Sequence, residues 1–316
     1  MIQYYLKQDG KIVEVPERVP ACWINVIPPF SPTELNELSE ELDIPLDFLT
    51  DSLDIDERSR YEREEDSKLI LVNTPLLNEN VKENEAVYLT IPIGIILTPE
   101  NLLTISSRDN PVLPIFLEGR VKNFNPLDDK RFVLQLFEQI VFRFLACLKK
   151  LSLQRNIVEQ ELYDSSRSSD LKQLLRIEKS LVYFVNSLSS NDLLKMKMKR
   201  VDLLSIRDDE DLMDLFEDVI IDNSQALEMA NVHTNILHGT MEAYASIISN
   251  NLNYVIQRLT LITIILMVPT LIASYYGMNF DWLPLANSSY GFLLVVVISI
   301  VLSLILAWIF RRRRLF

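Results

Sequence analysis

The last 61 residues contain two long uncharged apolar runs, and a chain built this way needs a medium other than water for them. From Ile256 to Phe316 there is one acid, Asp281, against five bases, Arg258 and Arg311 to Arg314. Leu259–Tyr276 is an uncharged run of 18 residues. Phe292–Phe310, reading FLLVVVISIVLSLILAWIF, is an uncharged run of 19 with only Ser299 and Ser303 polar. At about 1.5 Å per helical residue each run is long enough to cross a hydrocarbon core of roughly 30 Å. Arg258 abuts the first run and Arg311–Arg314 the second, while the segment between them, Gly277–Gly291, has no Lys or Arg. The positive-inside bias then places that segment outside and both termini in the cytoplasm of a cell that inserts the chain in its inner, cytoplasmic membrane. The opening MIQYYLKQDG is polar and strand-like, with no signal-peptide pattern.

The remaining residues, 1–255, carry 43 acids and 26 bases, a net charge of −17. Such a surface argues against nucleic acid as a partner, because phosphate binding needs basic surface. Cys22 and Cys147 are the only two cysteines, too few for a disulfide framework or a thiolate zinc module. Six glycines, none in a phosphate-loop pattern, and two histidines leave no nucleophile–base or nucleotide-binding set. The chain therefore does not read as an enzyme.

Residues 1–127 alternate strand and short-helix patterns and imply an α/β domain, a mixed sheet with helices. QYYLK, KIVEV, CWINVI, KLILVNTPLL, AVYLTIPIGIIL and NLLTISS are rich in β-branched and aromatic residues. Ser31-Pro32-Thr33-Glu34 is a helix start, with a capping serine and proline at the first helical position. Residues 128–207 switch to helical spacing. A third helix starts near the acids Asp208-Asp209-Glu210-Asp211 and meets no proline until Pro269. Residues 208–258 thus form a stalk that runs on into a first span, 259–276. An outer loop, 277–291, a second span, 292–310, and a basic tail, 311–316, complete the layout. Met196 and Met198 with Lys195, Lys197, Lys199 and Arg200 form a basic patch; stalk acids and lipid headgroups are both open as its partner. His233 and His238, five apart, do not stack as a ligand pair and are expected to be structural.

One face of the stalk and first span is unusual. Gly239, Glu242, Ser246, Ser249, Asn253, Ile256, Thr260, Thr263, Met267, Thr270, Ser274 and Gly277 follow one another at spacings of three and four, so they share a helix face. Most are small or polar. Two explanations stand: close helix packing, with hydroxyls bonded back to their own helix, or a water-filled pore.

At the end of that face stands Tyr276-Gly277-Met278-Asn279-Phe280. The pentapeptide resembles the CorA-type magnesium transporter family, whose hallmark is a Gly-Met-Asn tripeptide, usually after tyrosine, closing the first of two C-terminal spans. The topology, short outer loop and basic tail match as well. The resemblance is close from about Asp208 to Phe316 and looser upstream, where Leu49-Thr50-Asp51-Ser52-Leu53-Asp54 before Asp56-Glu57-Arg58 carries it. It implies a homopentamer with the first spans innermost, a selectivity filter at Gly277, Met278 and Asn279, and pore-facing positions at Asn253, Leu259, Met267 and Thr270. Three of those four lie on the face drawn from spacing; Leu259 lies beside it. With the hydroxyl positions, the pore-lining set is Asn253, Leu259, Thr260, Thr263, Met267, Thr270 and Ser274. The resemblance also implies regulatory Mg2+ held between subunits by carboxylates, here Asp218 and Asp51.

The ion suits the residues. Mg2+ dehydrates reluctantly and prefers octahedral oxygen ligands, so a ring of Asn279 amides would hold its hydration shell, where a carboxylate ring would hold it too tightly to release. No acid lies between Asn253 and Asn279. The expected function is gated Mg2+ uptake, closed by cytoplasmic Mg2+, with Co2+ as a second cargo. Co2+ or Ni2+ uptake or Zn2+ transport on the same fold is the first alternative, although Met278 stands where the zinc-transporting branch tends to carry Val. A non-conducting membrane-anchored signalling or scaffold protein is the second. Two features depart from the family pattern: the outer loop has one acid, Asp281, and Ser274 stands where glycine is common.

Overall fold

The computed structural model describes the chain except for residues 9, 21, 80–84, 165–167, 279–283, 285–289 and 314–316. It divides into two compact units, Met1–Met241 and Glu242–Phe316.

The first unit is built on seven strands: β1 (Ile2–Gln8), β2 (Lys11–Val15), β3 (Trp23–Val26), β4 (Arg60–Glu64), β5 (Ser67–Leu77), β6 (Tyr88–Leu97) and β7 (Leu102–Ile105). They form one sheet in the order β2-β1-β3-β7-β6-β5-β4. Only β3 and β7 pair in parallel; every other pair is antiparallel. The sheet is mixed, as the alternating strand and helix patterns imply. Its register brings Leu69, Ile96, Leu103 and Ile24 into one row across four strands. A second row runs Leu71, Gly94, Ile105, Val26. Both rows belong to one core, covered by Leu35, Leu38 and Leu42 of α1 (Pro32–Leu42) and by Phe48 and Leu49 of α2 (Leu46–Asp51).

Because side chains alternate along a strand, Trp23 points to the opposite face from Ile24. There it meets Phe132 and Phe124 edge-on, at ring separations of 5.0 and 6.1 Å, and its indole N–H donates to Thr104 Oγ1 at 2.8 Å. Phe116 of α3 (Leu113–Leu117) closes the cluster. A sheet covered on both faces explains why β5 and β6 read as nearly unbroken apolar runs. At Ser31 the capping box forms in full: Ser31 Oγ accepts from the Glu34 amide, and the Glu34 carboxylate accepts from the Ser31 amide.

α4 (Asp129–Asp164) and α5 (Ser168–Val201) follow, then α6 (Glu210–Tyr276), which has 67 residues and contains Pro269. Within the first unit α6 buries Leu212, Phe216, Val219, Asn223, Ala226, Ala230 and Leu237. Their spacing of three and four marks one stripe. Lys199 pairs with Glu217 at 2.6 Å, His238 with Glu178 at 2.9 Å, and Thr240 donates to Glu159 at 2.9 Å, so that stripe is held to α5 and α4. The second unit contains the rest of α6 and α7 (Gly291–Arg312). Both α6 and α7 contain a window long and apolar enough to cross a membrane, and those windows are almost wholly exposed in the single chain.

Candidate functional site

Two antiparallel helices make the membrane-spanning site. Ser303 Oγ of α7 donates to the Ile265 carbonyl of α6 at 3.4 Å. In the apolar part of α6 the positions withdrawn from solvent are Pro269 and the set Leu261, Ile265, Val268 and Ile272, the last four spaced four, three and four. They form the face that packs on α7. Thr260, Thr263, Met267, Thr270 and Ser274 are all exposed in the chain. At about 100° per residue their mean direction lies roughly 150° around the helix from the face on α7. The polar stripe therefore does not serve packing within the chain. Leu259 and Asn253 are also exposed, on the side of the stripe.

The hydroxyls on that stripe have a defined chemistry. Thr260 Oγ1 donates to the Ile256 carbonyl at 2.8 Å, Thr263 Oγ1 to Leu259 at 2.8 Å and Thr270 Oγ1 to Leu266 at 3.0 Å. Each threonine thus spends its only O–H on its own helix and turns acceptor lone pairs outward. A hydrated divalent cation presents only water O–H groups to its surroundings. A face on which these three threonines accept and do not donate matches it.

At the end of α6 the Gly277 amide donates to the carbonyls of Ala273 (2.9 Å) and Ser274 (3.2 Å), and the Met278 amide donates to Tyr275 at 3.3 Å. Tyr276 donates its hydroxyl to the Pro284 carbonyl at 3.0 Å, tying the helix end to the segment that follows. A Cβ on Gly277 would come no closer than 3.4 Å to the Ala273 oxygen, an ordinary contact. Among the described residues nothing demands glycine here. Met278 is exposed. Asn279 and most of the outer loop lie outside the described residues.

The two acids expected to hold regulatory metal are not brought into contact within one chain. Asp51 ends α2, and its Oδ2 accepts from Arg60 Nη2 at 2.7 Å. The same guanidinium meets Glu57 at 2.5 Å and Glu62 at 2.9 Å. Asp218 is exposed on α6. It stands close enough, with Asp222, to oppose ionisation of Glu138 on α4, whose carboxyl is pushed up chiefly by burial. Among the described residues no group of three or more His, Cys, Asp or Glu side chains is arranged to hold a metal.

The basic patch resolves into separate roles. Lys195 is fully buried and so is Met198, whereas Met196 and Lys197 are exposed and Lys199 is paired with Glu217 of α6. Spacing held a signal for this. Lys195 falls seven residues after buried Leu188 and four after buried Asn191, on the inner stripe of α5. A groove of about 880 Å³ opens between residues 55–61 and α5. Asp56, Glu57, Arg58, Arg60 and Lys197 line it together, and charge of both signs selects neither a cation nor an anion. His233 is half-buried and held below its ordinary value first by burial and then by Arg155.

Comparison with known proteins adds the family context. A family model described as CorA-like Mg2+ transporter protein matches residues 20–312. The cobalt/magnesium transport protein CorA of Methanocaldococcus jannaschii is 29% identical over 324 residues, covering 97% of both chains. The magnesium transport protein CorA of Helicobacter pylori is 25% identical over 293 residues, covering 92% of this chain and 89% of the relative. The complete structure of the CorA magnesium transporter from M. jannaschii superposes with a TM-score of 0.80 at 26% identity, over 99% of this chain and 98% of that one.

Proposed function

The chain belongs to the CorA-like Mg2+ transporter family, and on that premise we propose that it is a gated channel carrying Mg2+ inward across the cytoplasmic membrane as a homopentamer. The observation that carries the proposal is the polar face of α6, turned away from α7 with the hydroxyl donors of Thr260, Thr263 and Thr270 satisfied internally. Five such faces around an axis make a lining that receives water-clad cations and gives them no charge to stick to. Asn253, Leu259, Thr260, Thr263, Met267, Thr270 and Ser274 line it. Gly277, Met278 and Asn279 form the filter, where the amide oxygens of Asn279 accept from the first hydration shell of Mg2+. Met267 and Leu259 supply apolar rings that gate by dewetting.

The domain layout in this proposal is a cytoplasmic α/β domain at 1–127, a helical segment at 128–207 and a stalk at 208–258. The spans at 259–276 and 292–310 flank the outer loop at 277–291, and both termini are cytoplasmic. Cytoplasmic Mg2+ closes the ring through Asp218 and Asp51 of adjacent copies, offsetting repulsion among chains whose residues 1–255 each carry −17. Co2+ is a second cargo, favoured by the relative named for cobalt and magnesium together. The test is flux of Mg2+, Co2+ and Zn2+ into liposomes containing the purified protein, beside Asn279→Ala. The variant is expected to keep the oligomer and lose Mg2+ flux. Normal flux through an intact Asn279→Ala oligomer would remove the filter from Asn279.

A further inference from the structure

Lys195 is the one lysine among the described residues in the buried core, and its side chain joins three helices. Its Nζ donates to Asn223 Oδ1 of α6 at 2.7 Å and stands 5.5 Å from the ring centre of Phe137 on α4. The Asn223 amide is oriented by its other contacts. Nδ2 donates to the Leu188 carbonyl at 3.1 Å and to Asp192 Oδ1 at 3.3 Å, which leaves the oxygen facing the lysine. Ser224 Oγ donates to the same Asp192 oxygen at 3.1 Å. The α5–α6 seam at this level is therefore one small polar network inside an apolar stripe.

That network serves a neutral amine better than an ammonium. An ammonium has three donors, and one acceptor is supplied. Among the described residues no carboxylate touches Nζ, and the Phe137 ring replaces only part of the lost hydration. A buried charge left in that state costs several kcal/mol or gives up its proton. Burial accordingly lowers Lys195 from 10.5 to about 7, with Asp192 pulling the other way. The remaining charges near the seam do not reverse this. On α4, Glu138 is half-buried and itself pushed up by burial, with Asp218 and Asp222 of α6 adding to the shift. Glu217 of α6 is taken by Lys199, and Lys68 of β5 donates to the Leu203 carbonyl.

We propose that Lys195 is a proton-operated latch between α5 and α6: taking up a proton favours opening of the Asn223 seam, and losing it favours closure. The closed seam holds the proton weakly, whereas an opened seam returns Lys195 to water and to its ordinary affinity. Opening is therefore favoured as pH falls from about 10.5 towards about 7, and levels off below. With those two values, the opening equilibrium rises about fifty-fold between pH 9 and pH 7. The helix that carries Asn223 is the one that continues into the first apolar window. None of this depends on which ion the protein carries.

The experiment is hydrogen exchange of the full-length protein in lipid nanodiscs from pH 6 to 9, corrected for intrinsic rates, read at the amides of residues 188–198 and 212–226. The wild type is expected to open about fifty-fold more readily at pH 7 than at pH 9, while Lys195→Met gives a flat profile. Asn223→Ala, which keeps the lysine and removes its acceptor, is expected to keep the slope and level off at a lower pH. A flat wild-type profile overturns the latch, and so does a wild-type slope in Lys195→Met. Should Lys195→Met fail to assemble, an unmoved plateau in Asn223→Ala overturns it equally.

Discussion

Replacing Gly94 by alanine puts a methyl group into Ser52. Gly94 lies in the row Leu71, Gly94, Ile105, Val26 across the sheet, at the point where α2 rests on β6. A Cβ built there collides with Ser52 Oγ, lies 2.5 Å from Ser52 Cβ and 2.9 Å from Ile105 Cγ2. Ser52 has no way to yield. It is fully buried, its hydroxyl donates to the Phe48 carbonyl at 2.6 Å, and its Cβ is fixed by the backbone at the end of α2. Relief must come from moving the helix. Overpacking costs about 1–3 kcal/mol, and the upper end applies because Ser52 Cβ moves only with the backbone that carries it and is not a flexible tip. At roughly 2–4 °C per kcal/mol for a unit of this size, Gly94→Ala should lower the melting temperature by about 6–12 °C. The assay is thermal unfolding of the intact protein in detergent, followed by far-ultraviolet circular dichroism. Ser52→Gly in the same chain opens the space, so the double variant should recover at least half of the loss. A Gly94→Ala protein melting within about 1 °C of wild type would refute the packing argument, as would a double variant whose losses simply add. The outcome bears on the proposed sensor because α2 ends at Asp51.

Asp218→Asn and Asp51→Asn should each raise the Mg2+ concentration that protects the cytoplasmic part from proteolysis, by weakening the differential affinity of the closed ring for the ion. Asp51→Asn leaves Arg60 anchored by Glu57 and Glu62, so a change there is not mere loss of the loop; an unchanged Mg2+ dependence in both variants would move the sensor to other acids. Thr270→Val keeps the shape and removes the outward acceptor. Liposomes with this variant should show slower Mg2+ flux with the oligomer intact, and undiminished flux would mean the ion does not meet that hydroxyl.

The fold was legible wherever composition or period carries it. Two uncharged runs identified the spans, because nothing but burial or lipid accommodates 18 or 19 such residues. Unbroken apolar runs identified β5 and β6. By contrast, β4 reads RYERE and has no apolar face to announce it. It is one of the sheet's two edge strands, where charge guards against pairing with other chains. The role of Gly94 had a signal, since glycine inside a strand marks close approach of another element, but not the identity of the partner. Lys195 was hidden by its neighbours. A run of lysines looks like solvated surface, and only its place on the inner stripe separates it from Lys197. Likewise, Asp51 looks like a free carboxylate until the strand that follows brings Arg60 against it.

The membrane site was legible as a face, though not as a direction. Spacing alone groups Thr260, Thr263, Met267, Thr270 and Ser274 on one side of a helix. A small-residue face of that kind serves equally for close packing against another helix. What sequence lacks is the position of α7. Once Leu261, Ile265, Val268 and Ile272 are residues withdrawn from solvent, packing within the chain is assigned to them, and the hydroxyl face needs an occupant from outside. Lipid is a poor one, because outward acceptor lone pairs gain nothing from hydrocarbon. The proposed ring would supply one, with copies at the sides of each helix and water at its front. The internal hydroxyl bonds then have a consequence for selectivity. A threonine with a free O–H can donate to an anion, whereas one already bonded to its own helix can only accept. A lining made of such residues favours hydrated cations without carrying a formal charge, so it discriminates by sign and hydration while leaving the ion free to move on.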